Sequence, residues 1–321
     1  VSAYRTNPLK KQQKDFPDAI PETLWGHYGK ISGKSADHAT GLVYSQEPAA
    51  QMVAQVAAPA KGSRVLDLAA APGGKSTHLL SYLDNTGLLV SNEINPKRSK
   101  ILVENIERFG ARNVVVTNTS ADKLAKVFKN YFDTIVFDGP CSGEGMFRKD
   151  EVAVQEWSIE NVDTCWQRQR RILRDIWPCL KTGGLLIYST CTYNREENED
   201  NVAWIAQELG AEILPLETQP DWHITGNLTG TEFPVYRFLP HKTTGEGLFM
   251  AVLRKTADEP AVSVRTKTGG KASKKGKGGK VVALQVPKEM KAWVQGAGDY
   301  VFEVNDSEAM AFPAAYKDTY D

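Results

Sequence analysis

"SRVLDLAAAPGGKSTHLL", Ser63 to Leu80, decides the fold. An apolar strand, Ser63–Leu68, runs into a loop of small residues with Pro72, Gly73 and Gly74, and a helix begins at once. That order is the opening unit of a parallel sheet whose helices cross its faces. Glycines in the loop let the backbone turn and approach a ligand with no Cβ in the way. The loop is neither GxGxxG nor the GxxxxGK[ST] of a P-loop, since only "GGKS" is present, so a phosphate cradle fits it poorly. Glu93 stands 26 residues after Asp67 at the end of the next strand, where an acid accepts both hydroxyls of a ribose. A nucleoside cofactor without a pyrophosphate, S-adenosylmethionine, matches this pairing. Taken alone, Glu93 also reads as a solvated carboxylate at a helix start.

Outward from this unit the same alternation continues. A helix over Glu47–Ala57 precedes the first strand, and further strands are expected over Leu88–Ile94, Asn113–Asn118, Asp133–Asp138 and Leu185–Thr190. Helices are expected over Gly74–Leu83, Pro96–Phe109, Ala121–Phe128, Asn161–Leu180 and Glu196–Leu209. Pro96 suits a first helical turn, and Gly110 and Gly210 suit helix ends. Short apolar strands separated by helix-length segments indicate a parallel sheet covered on both faces. Gly247–Lys255 has no helix before it and is expected as an antiparallel edge strand. The result is a doubly wound, Rossmann-like α/β domain over residues 47–255.

Residues 1–46, rich in Lys, Pro and Gly, read as a separate unit, 256–280 as a linker and 281–321 as a further module. Arg265 to Lys280 carries seven basic residues and no acidic one. Such a run is a flexible linker or a grip on phosphates without sequence readout. The chain opens at Val1 inside a strand-like segment and stops without a terminating element, so a fragment is expected. Its 321 residues carry 41% hydrophobic and 24% charged side chains with zero net charge, an ordinary globular balance. No apolar run approaches the ~20 residues of a membrane span. The four cysteines form no CxxC pair and no disulfide framework, so neither a metal nor a secreted protein is expected, but a reducing cytoplasm.

Two cysteines follow strand ends. Cys141 lies in "FDGPCSGEGMF", three residues beyond Asp138, and Cys191 in "YSTCTYNREENEDN", directly after Thr190. Parallel strands leave a sheet at one face, and the site of such a fold lies there, where strand order reverses. Neighbouring strands are ~4.8 Å apart, so both thiols can face one substrate beside a methyl donor. Free cysteine is often inert filler; Cys165 and Cys179, among apolar residues of one helix, keep that reading. Turn-forming, polar flanks set Cys141 and Cys191 apart. Chemistry supplies a use for two thiols. A thiolate added at carbon 6 of cytosine makes carbon 5 enamine-like and able to attack a sulfonium methyl. One cysteine can be the nucleophile and the other can serve release, while Asp138 can pair with the base's Watson–Crick edge.

"DLAAAPGGKS", "NEINPKR", "FDGPCSGEGMFRKD" and "YSTCTYNREENEDNV" together resemble the NOL1/NOP2/Sun family of RNA 5-methylcytosine methyltransferases, in particular its bacterial RsmF-like branch acting on small-subunit ribosomal RNA. The resemblance covers residues 1–255. It implies Cys191 as nucleophile and Cys141 as the residue assisting release. It implies that Ala69, Ala70, Ala71, Pro72, Gly73, Gly74 and Lys75 hold the cofactor's methionine part, Glu93 its ribose, and that Asp138 lies beside cofactor and base. Gly139 stands where the family often has alanine. An acid after the third strand is replaced by "NTSAD", where Ser120 is the expected adenine contact. Residues 1–46 resemble the tail of an N-terminal RNA-binding subdomain, and 281–321 the start of a C-terminal PUA-like module.

Arg148 and Lys149 suit phosphate contact with RNA, and Phe147 and Trp157 suit base stacking or packing of their loop. The leading expectation is therefore an S-adenosylmethionine-dependent RNA cytosine-5 methyltransferase acting on 16S ribosomal RNA or a small-subunit particle. Transfer RNA as substrate, a small-molecule methyltransferase and a non-catalytic ribosome-assembly factor are the alternatives.

Overall fold

The computed structural model describes residues 2–11, 15–257, 286, 288–304 and 309–320, in two compact units, Val1–Glu259 and Pro260–Asp321. The first unit opens with a small antiparallel sheet of β1 (Ala3–Thr6), β2 (Gly26–Tyr28) and β3 (Val43–Ser45), ordered β2–β1–β3, with a one-turn helix α1 (Ala36–Ala39) before β3. Helix α2 (Pro48–Ala57) starts one residue later than expected. Glu47 is its cap instead, accepting from the backbone N–H groups of Ala49 and Ala50, and Pro48 takes the position where no N–H is needed.

The strand–helix alternation then runs β4 (Arg64–Asp67), α3 (Gly74–Leu83), β5 (Leu88–Asn92), α4 (Pro96–Phe109), β6 (Val114–Thr117), α5 (Ala121–Val127) and β7 (Phe132–Asp138). Helices α6 (Glu151–Glu156) and α7 (Ile159–Ile176), strand β8 (Leu180–Thr190), helix α8 (Glu199–Glu208) and strands β9 (Ala211–Leu214), β10 (Tyr236–Phe238) and β11 (Leu248–Lys255) complete it. The sheet order is β10–β11–β8–β7–β4–β5–β6, with β9 also paired to β11. Strands β6, β5, β4, β7 and β8 are parallel; β11 runs against β8. Order reverses between β4 and β7, and the crevice of a doubly wound fold lies there. Helices α2, α3 and α4 cover one face, and α5, α7 and α8 the other.

Local signals account for the helix ends. Asn95 caps α4 with Pro96 next to it, and Gly110 ends that helix at φ +83°. Three expectations change. Helix α7 stops at Ile176 because Pro178 cannot continue it, and Trp177–Cys179 forms a 3₁₀ turn. Helix α8 begins at Glu199, not Glu196, because Glu197 is drawn inward by hydrogen bonds described below. Strand β11 is not an edge: β8 lies on one side, and the short β9 and β10 share the other. Seven of its side chains, all but Arg254, are buried, which fits a strand paired on both sides.

Strands β12 (Tyr300–Val304) and β13 (Ala309–Pro313) form an antiparallel pair in the second unit. The basic run Arg265–Lys280 lies outside the described residues. Among the described residues no helix is long and apolar enough to cross a membrane, and no cluster of His, Cys, Asp or Glu could hold a metal ion.

Candidate active site

The loop between β4 and α3 is shaped from beneath. Gly73 caps α3 at φ +116°, and a Cβ there would come within 3.2 Å of Leu102. A Cβ on Gly74 would reach 3.0 Å from the Gln46 side chain. Buried Arg5 of β1 passes its guanidinium under the helix start, donating to the Gly74 carbonyl and the Thr77 hydroxyl, each at 2.7 Å, and to Gln46 at 2.6 Å. Desolvation lowers the Arg5 pKa to about 9, partly offset by the nearby phenols of Tyr44 and Tyr82. Asn92, at the end of β5, joins three strand ends. Its amide donates to the carbonyls of Leu68 (3.2 Å) and Thr119 (3.1 Å), and its oxygen accepts from Thr117 (2.8 Å).

Beyond these strand ends lies a hollow of about 280 Å3, lined by Ala69, Ala71, Glu93, Arg98, Thr119, Ala121, Asp138, Pro140, Cys141 and Cys191 among others. Glu93 is only 3% exposed. One of its oxygens accepts from the Asn95 backbone, while Oε2 accepts no hydrogen bond, with the Arg98 guanidinium 3.6 Å away. A buried carboxylate that lines a hollow and keeps one oxygen without a donor is what a ribose hydroxyl would complete. The residues present therefore fit a nucleoside cofactor. Arg98 also holds the loop, donating to the Ala71 carbonyl at 2.7 Å.

Asp138 is gripped at both oxygens, by Lys75 Nζ at 2.7 Å and by the Ser189 hydroxyl at 2.9 Å. Burial disfavours the charge on Lys75, but Asp138, by charge and hydrogen bond, with Asp67 and Cys191 behind it, leaves its pKa above the ordinary value.

The two sulfurs meet. Cys141 Sγ and Cys191 Sγ are 3.1 Å apart, although the residues are 50 positions apart in sequence. The hydrogen bond to Cys191, then burial, then the charges of Cys191, Asp138 and Glu197 raise the Cys141 thiol well above its ordinary value. Both cysteines are half-buried and both line the hollow. Cys165 and Cys179 are buried elsewhere, and burial pushes them to about 11 and about 12.

Two carboxylates fasten the cysteine loops together. Glu197, fully buried, accepts from the Ser142 backbone (3.1 Å) and hydroxyl, from Gln169 (2.8 Å) and from Asn194 (2.6 Å). Glu144 accepts from the Thr192 hydroxyl (2.9 Å) and the backbone N–H groups of Tyr193 (2.6 Å) and Asn194 (2.9 Å). Gly145 N–H donates to the Cys191 carbonyl at 2.8 Å, an approach that a Cβ on Gly145, 2.7 Å from the same oxygen, would prevent.

Of the residues singled out in the sequence, Ala69, Ala71, Glu93, Asp138, Cys141 and Cys191 border the hollow. Ala70, Pro72, Gly73, Gly74 and Lys75 shape it from behind, Lys75 through Asp138. Ser120 turns its hydroxyl to Asp122, and Thr119 and Ala121 form the wall beside it. Arg148 is exposed, while Lys149 is paired with Glu246 at 3.0 Å. Phe147 is exposed, and Trp157 is tied to Glu144 at 3.1 Å. Arg5, Asn92, Arg98, Glu144, Gln169 and Glu197 were not anticipated.

Sheet, crevice and loop define a Rossmann-like methyltransferase. A methyltransferase homologue from Pyrococcus horikoshii superimposes with a TM-score of 0.68 at 27% identity, covering 79% of this chain and 86% of that one. NSun6 from the same organism, solved with SFG, gives 0.64 at 29% identity over 73% of this chain and 58% of that one. Residues 54–254 match the family described as 16S rRNA methyltransferase RsmB/F, and the chain belongs to that family. A Vibrio cholerae relative, ribosomal RNA small subunit methyltransferase F, is 34% identical over 282 residues, 84% of this chain and 59% of the relative. The chain thus spans less than two thirds of that relative's length.

Proposed function

We propose that this chain transfers a methyl group from S-adenosylmethionine to carbon 5 of a cytosine in small-subunit ribosomal RNA, with Cys191 as nucleophile and Cys141 serving release. The observation that carries this reading is the contact of two thiols, 3.1 Å apart, at the mouth of a hollow bordered by Glu93 and Asp138. When bound, S-adenosylmethionine supplies an electrophilic methyl group. Glu93 would take its ribose, and the loop Ala69–Lys75 its amino-acid end. Ser120 would stand at the adenine side through its backbone.

The surroundings of the thiols support these roles. Cys141 keeps its proton at neutral pH, because its pKa lies well above the ordinary value. Its S–H can then donate to the Cys191 sulfur, 3.1 Å away. That sulfur adds to carbon 6 of the pyrimidine, and carbon 5 becomes nucleophilic. Asp138, held by Lys75 and Ser189, would meet the ring's N3 and amino edge and favour addition. After transfer, carbon 5 loses its proton, the ring regains its double bond and the Cys191 sulfur departs. Cys141 would serve that step by passing its own proton to solvent once the Cys191 sulfur is bound to carbon 6, and then, as a thiolate of raised proton affinity, taking the carbon 5 proton. The target cytosine must be single-stranded or flipped out to reach the sulfurs.

The flanking segments 1–46 and 281–321 are read as pieces of RNA-binding modules, with ribosomal RNA or a small-subunit particle as partner. The compartment is read as the cytoplasm, where thiols stay reduced. The test uses labelled S-adenosylmethionine and a small-subunit RNA transcript. Cys191→Ala should abolish transfer of label. Cys141→Ala should accumulate a protein–RNA species that survives denaturation. Retained transfer by Cys191→Ala would refute the covalent mechanism, and no transfer to RNA by the wild type would favour a small-molecule methyltransferase whose cysteines only pack.

A further inference from the structure

On the far side of the Cys191 backbone lies a second hollow, of about 530 Å3, lined by Glu144, Gly145, Arg148, Tyr193, Pro240 and His241, with Leu239. It is separated from the cysteine pair by one peptide: Gly145 N–H binds the Cys191 carbonyl at 2.8 Å and Gly145 itself lines this hollow. We propose that this hollow is a subsite for the base of the nucleotide next to the target cytosine in the RNA strand, with the Tyr193 ring as its stacking surface and Arg148 on its phosphate. The proposal rests on the reading above that the substrate is RNA.

Three features point to that occupant. Tyr193 is preorganised. Its N–H is held by Glu144 at 2.6 Å, its carbonyl by Arg237 at 3.0 Å, and its ring lies over Gly247, where a Cβ would come within 1.8 Å of the hydroxyl. A ring fixed in this way offers a flat face at little conformational cost, as base stacking requires. Arg148 has no ion pair among the described residues, whereas its neighbour Lys149 is engaged with Glu246. Arg148, the member of the two without an ion pair among the described residues, is therefore at the hollow, where a phosphate would arrive. Glu144, the acidic residue there, is occupied at both oxygens by Trp157 and by the Thr192–Asn194 turn, so it is not an open anion facing the phosphate. The volume lies within the ~300–1,000 Å3 of small-ligand pockets. Exposed His241 also lines the hollow.

The experiment first identifies the methylated cytosine by bisulfite sequencing of a small-subunit RNA transcript treated with the protein and S-adenosylmethionine. RNA oligonucleotides carrying that cytosine are then made intact, or with an abasic ribose immediately 5′ or immediately 3′ to it. On the intact oligonucleotide, Tyr193→Ala and Arg148→Ala should each raise KM about tenfold, and Tyr193→Phe should retain near-normal KM. An abasic ribose at one of the two neighbours should raise the wild-type KM similarly. On that oligonucleotide Tyr193→Ala should cost nothing further, while Arg148→Ala should still cost, because the phosphate remains. His241→Ala, on an exposed loop, should behave like Tyr193→Ala and guards against misfolding near Cys191. Equal costs of Tyr193→Ala and His241→Ala on intact and both abasic oligonucleotides would overturn the subsite while leaving methyl transfer to RNA intact. No methylated cytosine from the wild type would overturn both readings, and that failure appears in the first step.

Discussion

Asp67 ends β4 with no exposure; one oxygen accepts from the Ser76 hydroxyl at 2.6 Å and the other accepts no hydrogen bond. Burial raises its pKa to about 6, against the lowering effects of Ser76 and Lys75. An acid whose folded pKa exceeds its unfolded value holds its proton more tightly when folded. The native state is therefore penalised at neutral pH, relieved as pH falls through about 6, and free of the penalty below the unfolded value. The distance from 3.8 to about 6, at ~1.4 kcal/mol per tenfold in proton affinity, amounts to about 3 kcal/mol. Asp67→Asn removes this titration. The unfolding free energy of the variant minus that of the wild type should rise by up to about 3 kcal/mol between about pH 4 and about pH 7. Denaturant unfolding across that range measures it, and a flat difference would mean that Asp67 does not titrate there. The cysteines show how much a residue's chain neighbours disclose about it. Turn-forming flanks in the sequence mark Cys141 and Cys191 as unlike Cys165 and Cys179, but only the fold brings their sulfurs to 3.1 Å and raises the Cys141 pKa.

At the scale of elements, the cysteine pair stands on two loops, after β7 and after β8, joined by Glu197. Glu197→Ala would orphan the Ser142 N–H and strip the charged acceptor from Gln169 and Asn194, leaving them the Pro140 carbonyl and the Ser142 and Thr192 hydroxyls. Hydrogen bonds to a charged group at ~1.5–3 kcal/mol each predict a loss of about 3 kcal/mol or more. Sulfur placement would loosen with it, so methyl transfer should fall about 100-fold or further, because small misplacements of reacting groups carry penalties of that size. Glu197→Gln keeps one acceptor oxygen and should fall between. Thermal unfolding and label transfer on the three proteins test this; undiminished transfer by Glu197→Ala would show that the loops are held by other contacts. Glu197 was not legible in "NREENED", which reads as a solvated acidic helix start. Its partners Ser142 and Gln169 are 55 and 28 residues away, beyond any local spacing. Local punctuation was legible: Pro96 and Gly110 bound α4 where residue chemistry says they should. The far side of β11 was not, since β9 and β10 have only four and three residues and leave almost no period to read.

Across the whole molecule, the sequence displays the methyltransferase sheet but not what braces it. Arg5 lies on the small N-terminal sheet and bonds groups 69 and 72 residues away at the start of α3. Residues 1–46 carry nothing in their composition that announces this, because a buried arginine and an exposed one are the same letter. The contact makes the small sheet a foundation for the cofactor loop: Gly74 and Thr77, whose carbonyl and hydroxyl Arg5 holds, sit in the first turn of α3, directly after Gly73. Arg5→Ala removes three hydrogen bonds from a charged donor at a site with no solvent to replace them. A stability loss of about 2–4 kcal/mol is expected from bonds of this kind. Because the helix start would also be freed, affinity for S-adenosylmethionine should weaken several-fold, read by calorimetric titration at a temperature where the variant remains folded. Arg5→Lys should recover part of the stability but less of the affinity, since an ammonium lacks the planar fork that spans Gln46 and Thr77 together. If both variants lost stability yet bound the cofactor as the wild type does, the loop would be shown to keep its shape by its own glycines and Arg98, and the small sheet would brace the fold without reaching the site.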